Sequence, residues 1–238
     1  MFREEHKNAI RKRKAREKNL RMESILEAAK KIFFSKGYAK ATMDEIALEA
    51  EISKPTIYQY FQSKDDLFFS LMLPVVDEIG SQFGEIVKRL DSGQYKSGAV
   101  LIEDMFQGLW NSYATAPDVF RIVQLFQQTG LVQELNPEIR KSLNEKGAYN
   151  FKLARQIIEM GITQNLIKET NPFEYVDVFW GLFVGIVQLE DIKSQGKQDN
   201  TYLKPTLKLA EKILIDSIAM EKIQERTNPN ESDETSMI

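Results

Sequence analysis

Residues 42–67 read TMDEIALEAEISKPTIYQYFQSKDDL, and this stretch constrains the local fold more tightly than any other. Thr42 followed by Glu45 is a capping box, which starts a short helix by satisfying N–H groups that a helix leaves open. Ile46, Ala47 and Ala50 share one face of it, small enough for a second helix to cross closely. Glu51-Ile52-Ser53 is then the short turn of a helix-turn-helix. Ser53 is placed to cap the second helix, and Pro55 falls in a first turn where no internal bond is lost. Ser63, with Lys64-Asp65-Asp66 after it, caps a third helix and sets two carboxylates at its positive end. The shape expected from this chemistry fits the major groove of double-stranded DNA.

At about 100° per residue, Ile57 and Phe61 of the second helix point together into the core, with Tyr60 at their border. Pro55, Tyr58, Gln59 and Gln62 fall on the opposite arc, with Thr56 at its edge. An outer face of hydroxyls and amides without a carboxylate suits phosphates and base edges. The competing reading is a helical hairpin with a merely polar surface.

Residues 22–68 resemble the N-terminal domain of TetR-family transcriptional regulators. The resemblance is carried by Ile25-Leu26-Glu27-Ala28-Ala29, Phe33-Phe34-Ser35-Lys36-Gly37-Tyr38, Thr42, Ile46-Ala47, Ala50, Ser53-Lys54, Ile57-Tyr58-Gln59-Tyr60-Phe61 and Ser63-Lys64-Asp65-Asp66-Leu67. It implies a dimeric repressor that leaves a palindromic operator when a small molecule binds. Two positions depart from the family pattern, which often has Gly where this chain has Glu51 and Pro55. A positive φ at Glu51 would cost about 1–2 kcal/mol. Thr42, Ser53, Tyr58, Gln59 and Lys64 are the expected phosphate contacts. Pro55 and Thr56 are expected at base edges, and Lys54 suits either role.

Charge divides along the chain in the same sense. The whole carries 32 basic and 35 acidic side chains, net −3, yet residues 1–64 hold 15 Lys/Arg against 9 Asp/Glu. A basic end joined to an acidic body is the asymmetry of a DNA-binding unit attached to something else. Residues 1–20 concentrate the cations and read either as a flexible basic arm along DNA or as a solvated, partly helical tail.

Enzyme chemistry finds little support. With no cysteine and a single histidine, His6, neither a metal site nor a nucleophile-histidine pair is expected, and no cofactor is implied. Gly196-Lys197 lacks the rest of a phosphate-binding loop. The N-terminus has no apolar signal segment, and the longest uncharged apolar run, 178–189, is short of the roughly 20 residues that span a bilayer. A cytoplasmic protein without a membrane association is expected.

The remainder reads as helix throughout, so the fold class is all-α: residues 1–20 an arm, 21–67 a three-helix DNA-binding domain, 68–223 a larger ligand-binding and dimerisation domain, and 224–238 a disordered acidic tail. Helices are expected over 65–90, 100–114, 118–129, 137–167, 171–192 and 203–223. Pro74 should kink or break the first of these. Residues 178–187 are apolar on all sides and need cover from a partner as well as from their own domain. Leu207, Ala210, Leu214 and Ser217/Ile218 form a stripe beside them, so the last two helices are expected to build a symmetric four-helix homodimer interface, with Gly181 and Gly185 allowing close approach.

The resemblance also implies a ligand cavity in the body. Phe83, Met105, Phe106, Trp110, Tyr113, Phe126, Phe151 and Phe183, with Met160 and Trp180 near them, are its candidate lining, which suits an apolar or amphipathic effector. Fatty-acyl compounds, aromatic drugs and other lipophiles all fit that description. Arg121 and Arg155 are candidate anchors for an anion or simply surface cations. The alternative from another class is a small-molecule binding or scaffolding protein that keeps the helix-turn-helix without using it.

Overall fold

A computed structural model of the chain describes residues 2–128, 130–194 and 202–220, and the side chains of 4–124, 130, 132–194 and 202–220. The described residues form α1 (Phe2–Lys36), α2 (Met43–Glu49), α3 (Lys54–Ile57), α4 (Lys64–Asp91), α5 (Gly98–Thr115), α6 (Pro117–Gln128), α7 (Pro137–Thr163), α8 (Pro172–Lys193) and α9 (Leu203–Ile218), with one 3-10 turn, Leu131–Glu134. There is no strand among them. The all-α expectation holds. The expected tail, 224–238, lies outside the described residues, as do 221–223 and Gly196-Lys197.

Local signals set most helix starts. Ser63 accepts the Asp66 N–H, Asn136 the Glu138 N–H and Asn171 the Phe173 N–H, each from an extended or turn-like residue just ahead of its helix. Pro137 and Pro172 stand at the first helical position after those asparagines. Pro74 does not break α4, which runs unbroken past it. Pro74 is exposed and takes away only the N–H that would have met the Ser70 carbonyl, on a side of the helix near solvent.

α4 is the spine. It packs chiefly against α7 and α5, with α6 beside it, and α8 and α9 close the far side through α7 and α5. Phe106 meets Phe179 edge-on at 5.0 Å, and Phe120 meets Phe183 at 6.0 Å, joining α5, α6 and α8. The ends of α7 and α9 are stitched to the start of α5. Met220 N–H donates to the Leu166 carbonyl, Gly98 N–H donates to the Met220 carbonyl, and a Cβ on Gly98 would sit 1.9 Å from Leu166 O. Only glycine fits there.

The N-terminal helices dock on the first turns of α4. Phe33 of α1, Tyr38 of the following turn and Phe68 of α4 form an aromatic triad with centroids 5.0 to 5.7 Å apart. Tyr38 donates its hydroxyl to Asp65, and Asp65 also accepts the Asn136 N–H at the start of α7 at 2.7 Å. One carboxylate therefore ties the helix-turn-helix unit to the body. Burial and that carboxylate push the Tyr38 phenol far above its ordinary range, so it stays protonated as the donor.

Two expectations need correction. The segment 1–20 is not a loose arm within the described residues: α1 runs from Phe2 without interruption into the domain. The stripe Leu207, Ala210, Leu214, Ile218 is buried inside this subunit against α5 and α8, because α9 needs a core face of its own. Of that set only Ser217 is exposed, and the outward apolar residues of α9 are Leu209 and Ile213. On α8, Val178, Leu189 and Ile192 face outward, and among the described residues outside the local helix backbone nothing lies within 4 Å of where Gly181 or Gly185 would carry a Cβ. By length and hydropathy α8 as a whole is also long enough to cross a bilayer, although its uncharged run alone is not. Its packing on α7 and α9 places it in a helical layer.

Candidate nucleic-acid interface and effector cavity

The α2–α3 unit is built almost entirely by local bonds. The capping box at α2 is complete: Thr42 Oγ1 accepts the Glu45 N–H at 3.2 Å, and Glu45 accepts the Thr42 N–H at 3.1 Å. Lys36 holds the Glu45 carboxylate below its usual range from 2.6 Å. Glu51 takes φ of +56°. Glu51 N–H donates to the Leu48 carbonyl and Ile52 N–H to that of Ala47. These two bonds close the helix end in a Schellman arrangement and offset the strain of a left-handed glutamate.

α3 is shorter than the coil expected over 55–62. Its α-helical part is Lys54–Ile57, continued as tightened turns in which Gln59 N–H reaches the Thr56 carbonyl and Tyr60 N–H that of Ile57. The chain has to leave the helix early because Ser63, two residues beyond Phe61, must be extended to cap α4. Ser53 initiates α3 through its carbonyl, which accepts the N–H of Thr56 and of Ile57. Its hydroxyl does not cap as expected; it meets the Thr56 hydroxyl at 2.7 Å.

The inside and outside of α3 fall where the helical spacing puts them. Ile57 and Phe61 are fully buried and Tyr60 is half-buried. Ser53, Lys54, Pro55, Tyr58, Gln59 and Gln62 are exposed, and Thr56 is half-buried, its hydroxyl tied to Ser53. Lys54 pairs with Asp44 of α2 at 2.8 Å, and both are well exposed, so a phosphate can compete for the ammonium. Asp44 meanwhile raises the Lys54 pKa, which keeps the charge in place.

Lys64 is different. Its ammonium donates to the carbonyls of Tyr38 (2.8 Å) and Ala41 (3.1 Å) and lies 4.2 Å from the Tyr38 ring centre. All these partners belong to the turn between α1 and α2. The expected phosphate contact is thus engaged in holding that turn. Lys40, exposed in the same turn, has no ion-pair partner among the described residues and stands two residues before Thr42. Sequence reasoning passed over it for want of any helix on which to place it.

In the body, the eight candidate lining residues do not form one site. Phe83 and Phe151 border a cavity of about 60 Å³ enclosed by α4, α6, α7 and α8. Phe106, Trp110 and Phe183 border a separate groove of about 240 Å³ against α9, where Lys204 stands over Trp110 and Lys208 pairs with Glu211. Met105 and Tyr113 are buried without lining either space. Phe126 is on α6, its side chain outside the described residues.

The first cavity also has walls that an aromatic census misses. Val75, Val76 and Ile79 of α4 face Gly147, Asn150 and Ala154 of α7, at the three-to-four spacing of one helix face on each side. Small residues at 147 and 154 leave the space open. Buried Asn150 donates to the Val76 carbonyl at 2.8 Å, and Gly80 makes room for it, since a Cβ there would lie 2.7 Å from Asn150 Oδ1. Gln124, also buried, supplies a second amide to the wall. The cavity is apolar with two amides in its wall.

Of the two arginines considered as anchors, one is already held by carboxylates. Arg121 grips Asp191 of α8 through two nitrogens, at 2.6 and 2.8 Å, and also reaches Asp118. Arg155 stacks over Phe173, 4.6 Å from its centre. No cluster of metal-ligating side chains occurs among the described residues.

Residues 25–71 match the family described as bacterial regulatory proteins, tetR family. The chain is 33% identical over 105 residues to the HTH-type transcriptional activator FasR of Mycolicibacterium smegmatis, covering 40% of this chain and 48% of that protein. With the HTH-type transcriptional regulator YfiR of Bacillus subtilis it shares 27% identity over 207 residues, covering 82% of this chain and 96% of the relative. The chain therefore spans about half the length of the first relative and nearly all of the second. Among solved structures, the regulator PfmR of Thermus thermophilus superposes with a TM-score of 0.65 at 15% identity, over 85% of this chain and 96% of that one. That likeness is one of fold.

Proposed function

We propose, from the premise that the chain belongs through its N-terminal domain to the tetR family of bacterial regulatory proteins, that it is a dimeric transcriptional repressor released from a palindromic operator by an apolar or amphipathic small molecule. Residues 21–67 would read the DNA, and the body from 68 onward would bind the effector and dimerise. Its place of work is the cytoplasm. The observation that carries this reading is α3: Ile57 and Phe61 anchor it inside while Pro55, Tyr58 and Gln59 stand outside with no carboxylate among them. Tyr58, Gln59, Ser53 and the exposed Thr42 serve as phosphate contacts, Pro55 touches base edges, and Lys54 exchanges Asp44 for a phosphate. Thr56 acts through its bond to Ser53 and is the weaker candidate for base contact. Lys64 supports the turn.

The dimer face is the outward side of α8 and α9, where Val178, Leu189, Leu209 and Ile213 are exposed and Gly181 and Gly185 leave a shallow track. An apolar patch on adjacent helices that this subunit leaves bare calls for a second copy. Light scattering should give about twice the chain mass of 27.5 kDa. A single-chain mass at micromolar concentration would end the dimer assignment.

The effector mechanism follows from the size of the cavity. About 60 Å³ admits only a few atoms, whereas ligand pockets of drug-sized molecules are roughly 300–1,000 Å³. An effector of useful size must select a state in which α4 and α7 stand further apart. Both helices end at the same carboxylate, because Asp65 of α4 accepts the first N–H of the α7 cap and the Tyr38 hydroxyl. Widening the cavity would load that junction and turn the helix-turn-helix unit relative to the body, so that paired α3 helices no longer meet grooves about 34–36 Å apart. Pro74, one residue before the cavity wall at Val75, is the place where α4 bends most readily.

Fluorescence anisotropy with duplexes selected from a random library tests the whole reading. A regulator shows one preferred sequence and a steep salt dependence. Equal binding of all duplexes with a shallow salt dependence would overturn it. If operator affinity in Pro74→Ala still responds to effector as in the parent, the bend lies elsewhere.

A further inference from the structure

Resting on the regulator reading above, we propose that the helical extension ahead of the N-terminal domain is a second DNA contact, a rigid row of cations lying along the phosphate backbone beside the segment met by α3. Within the domain, Ile25, Ala28 and Ile32 follow one another on the face of α1 that packs inward. Continued upstream at the same three-and-four spacing, that face carries Arg21, Lys18, Lys14, Arg11 and Lys7. At about 100° and 1.5 Å per residue the five share roughly 80° of arc and extend about 21 Å. Where the domain stops covering the helix, the row changes from apolar to cationic without leaving the face.

Two observations make this row more than a solvated tail. All five side chains are exposed, and none is in an ion pair among the described residues. By contrast four of the six lysines of the adjoining domain, Lys30, Lys31, Lys36 and Lys54, each have a carboxylate, and off the row Arg13 has Glu17, although Lys12 and Arg16 are in no ion pair among the described residues either. The extension is also continuous with the domain helix, so the row keeps a fixed bearing on the helix-turn-helix. α2 lies antiparallel along the end of α1, since Lys36 pairs with Glu45 and Lys31 with Glu49, so the helix that carries the row is packed directly against the first helix of the helix-turn-helix.

The partner is a polyanion and not a lipid surface. From residue 4 to 21 the only large apolar side chains are Ile10 and Leu20, which form no apolar face for a helix to sink into a membrane. A duplex offers one charge per roughly 1.7 Å of axis, ample for five cations spread over one rigid edge, and α3 of the same domain already faces it.

The test uses the full chain and two variants of equal charge, on a 40-bp duplex selected by the parent and on its scrambled counterpart. One carries Arg11→Gln, Lys14→Gln and Lys18→Gln on the row; the other carries Lys12→Gln, Arg13→Gln and Arg16→Gln off it. Glutamine keeps the helix, which circular dichroism checks. The row variant should lose up to about 2.7 per protomer from the slope of log K against log salt, the off-row variant less than about one, with sequence preference kept in both. Equal slope changes would reduce the extension to diffuse attraction and overturn the proposal. Insertion of one alanine between Asn19 and Leu20 turns the four row cations ahead of it, Lys7 to Lys18, by about 100° and should imitate the row variant, while four alanines return them to within about 40° and should restore binding. Insertions without effect would equally overturn it. If the parent itself shows no salt-dependent duplex binding, the regulator reading fails and this inference with it.

Discussion

The helix-turn-helix unit and the cavity in the body are organised by opposite kinds of contact. Around α2 and α3 the backbone is shaped by polar groups within a few residues of each other: Thr42 with Glu45, Glu51 within its Schellman turn, Ser63 with Asp66. Around the cavity the space is shaped by apolar groups brought together from distant parts of the chain, such as Val75 and Ile79 of α4 against Gly147 and Ala154 of α7. The first arrangement yields a stiff surface whose exposed side chains are free to meet a ligand. The second yields a packing defect, the space that the proposed effector would enlarge. The proposed regulator would use both, and Asp65 joins the unit to the body.

The comparison breaks most visibly if the stiff surface is unseated. Phe61→Ala removes the anchor of α3 and should cost about 3–5 kcal/mol in denaturant unfolding, with sequence-specific binding abolished. Retained operator preference in a folded Phe61→Ala chain would mean that α3 is not what reads DNA. Filling the cavity acts in the other region alone. Ala154→Leu occupies space already present without parting α4 from α7, so it should shift stability by no more than about 1–3 kcal/mol, leave operator affinity intact, and remove the effector response in anisotropy. An undiminished response would move the effector elsewhere, with the groove at Trp110 the next place to look.

Lys64 sharpens the boundary between the two roles within the N-terminal unit. Lys64→Met takes the ammonium away from the carbonyl of Ala41 and from that of Tyr38, which also accepts the Ala41 N–H, and should cost about 1 kcal/mol, discounted for partial exposure, as read by thermal unfolding. The salt slope of DNA binding should stay as in the parent. A fall in slope of about one would return Lys64 to the phosphate contacts. Thr42→Ala should cost about 1 kcal/mol through the lost cap and slightly weaken all duplexes alike.

The smallest effect is one of pH. Glu45 is held below its ordinary value by Lys36 and by Thr42, so its contribution to the α2 cap is complete above the ordinary carboxylate pKa and is lost as pH falls through the lowered folded value. Amide exchange at Thr42, whose N–H the Glu45 carboxylate accepts, should quicken relative to the α2 amides only below that range. Glu45→Gln should flatten the dependence.

Much of this is legible in the amino-acid sequence alone. Caps and turns are short-range chemistry, so Thr42, Ser63, Asn136 and Asn171 mark helix starts correctly, and the burial of Ile57 and Phe61 follows from spacing alone. The sequence also places an apolar helix at 178–187 that this subunit leaves partly bare. Other features are decided by neighbours far along the chain. Lys64 and Arg121 have partners that no local rule identifies, and the stripe of α9 turns inward because α5 and α8 are there to receive it. The eight aromatic and Met candidates share a composition but not a place, since a cavity is defined by where side chains fail to fill space. Periodicity tells which face of a helix is buried. What that face meets, and how completely, depends on the relative placement of helices separated by tens of residues, and only the tertiary structure supplies it.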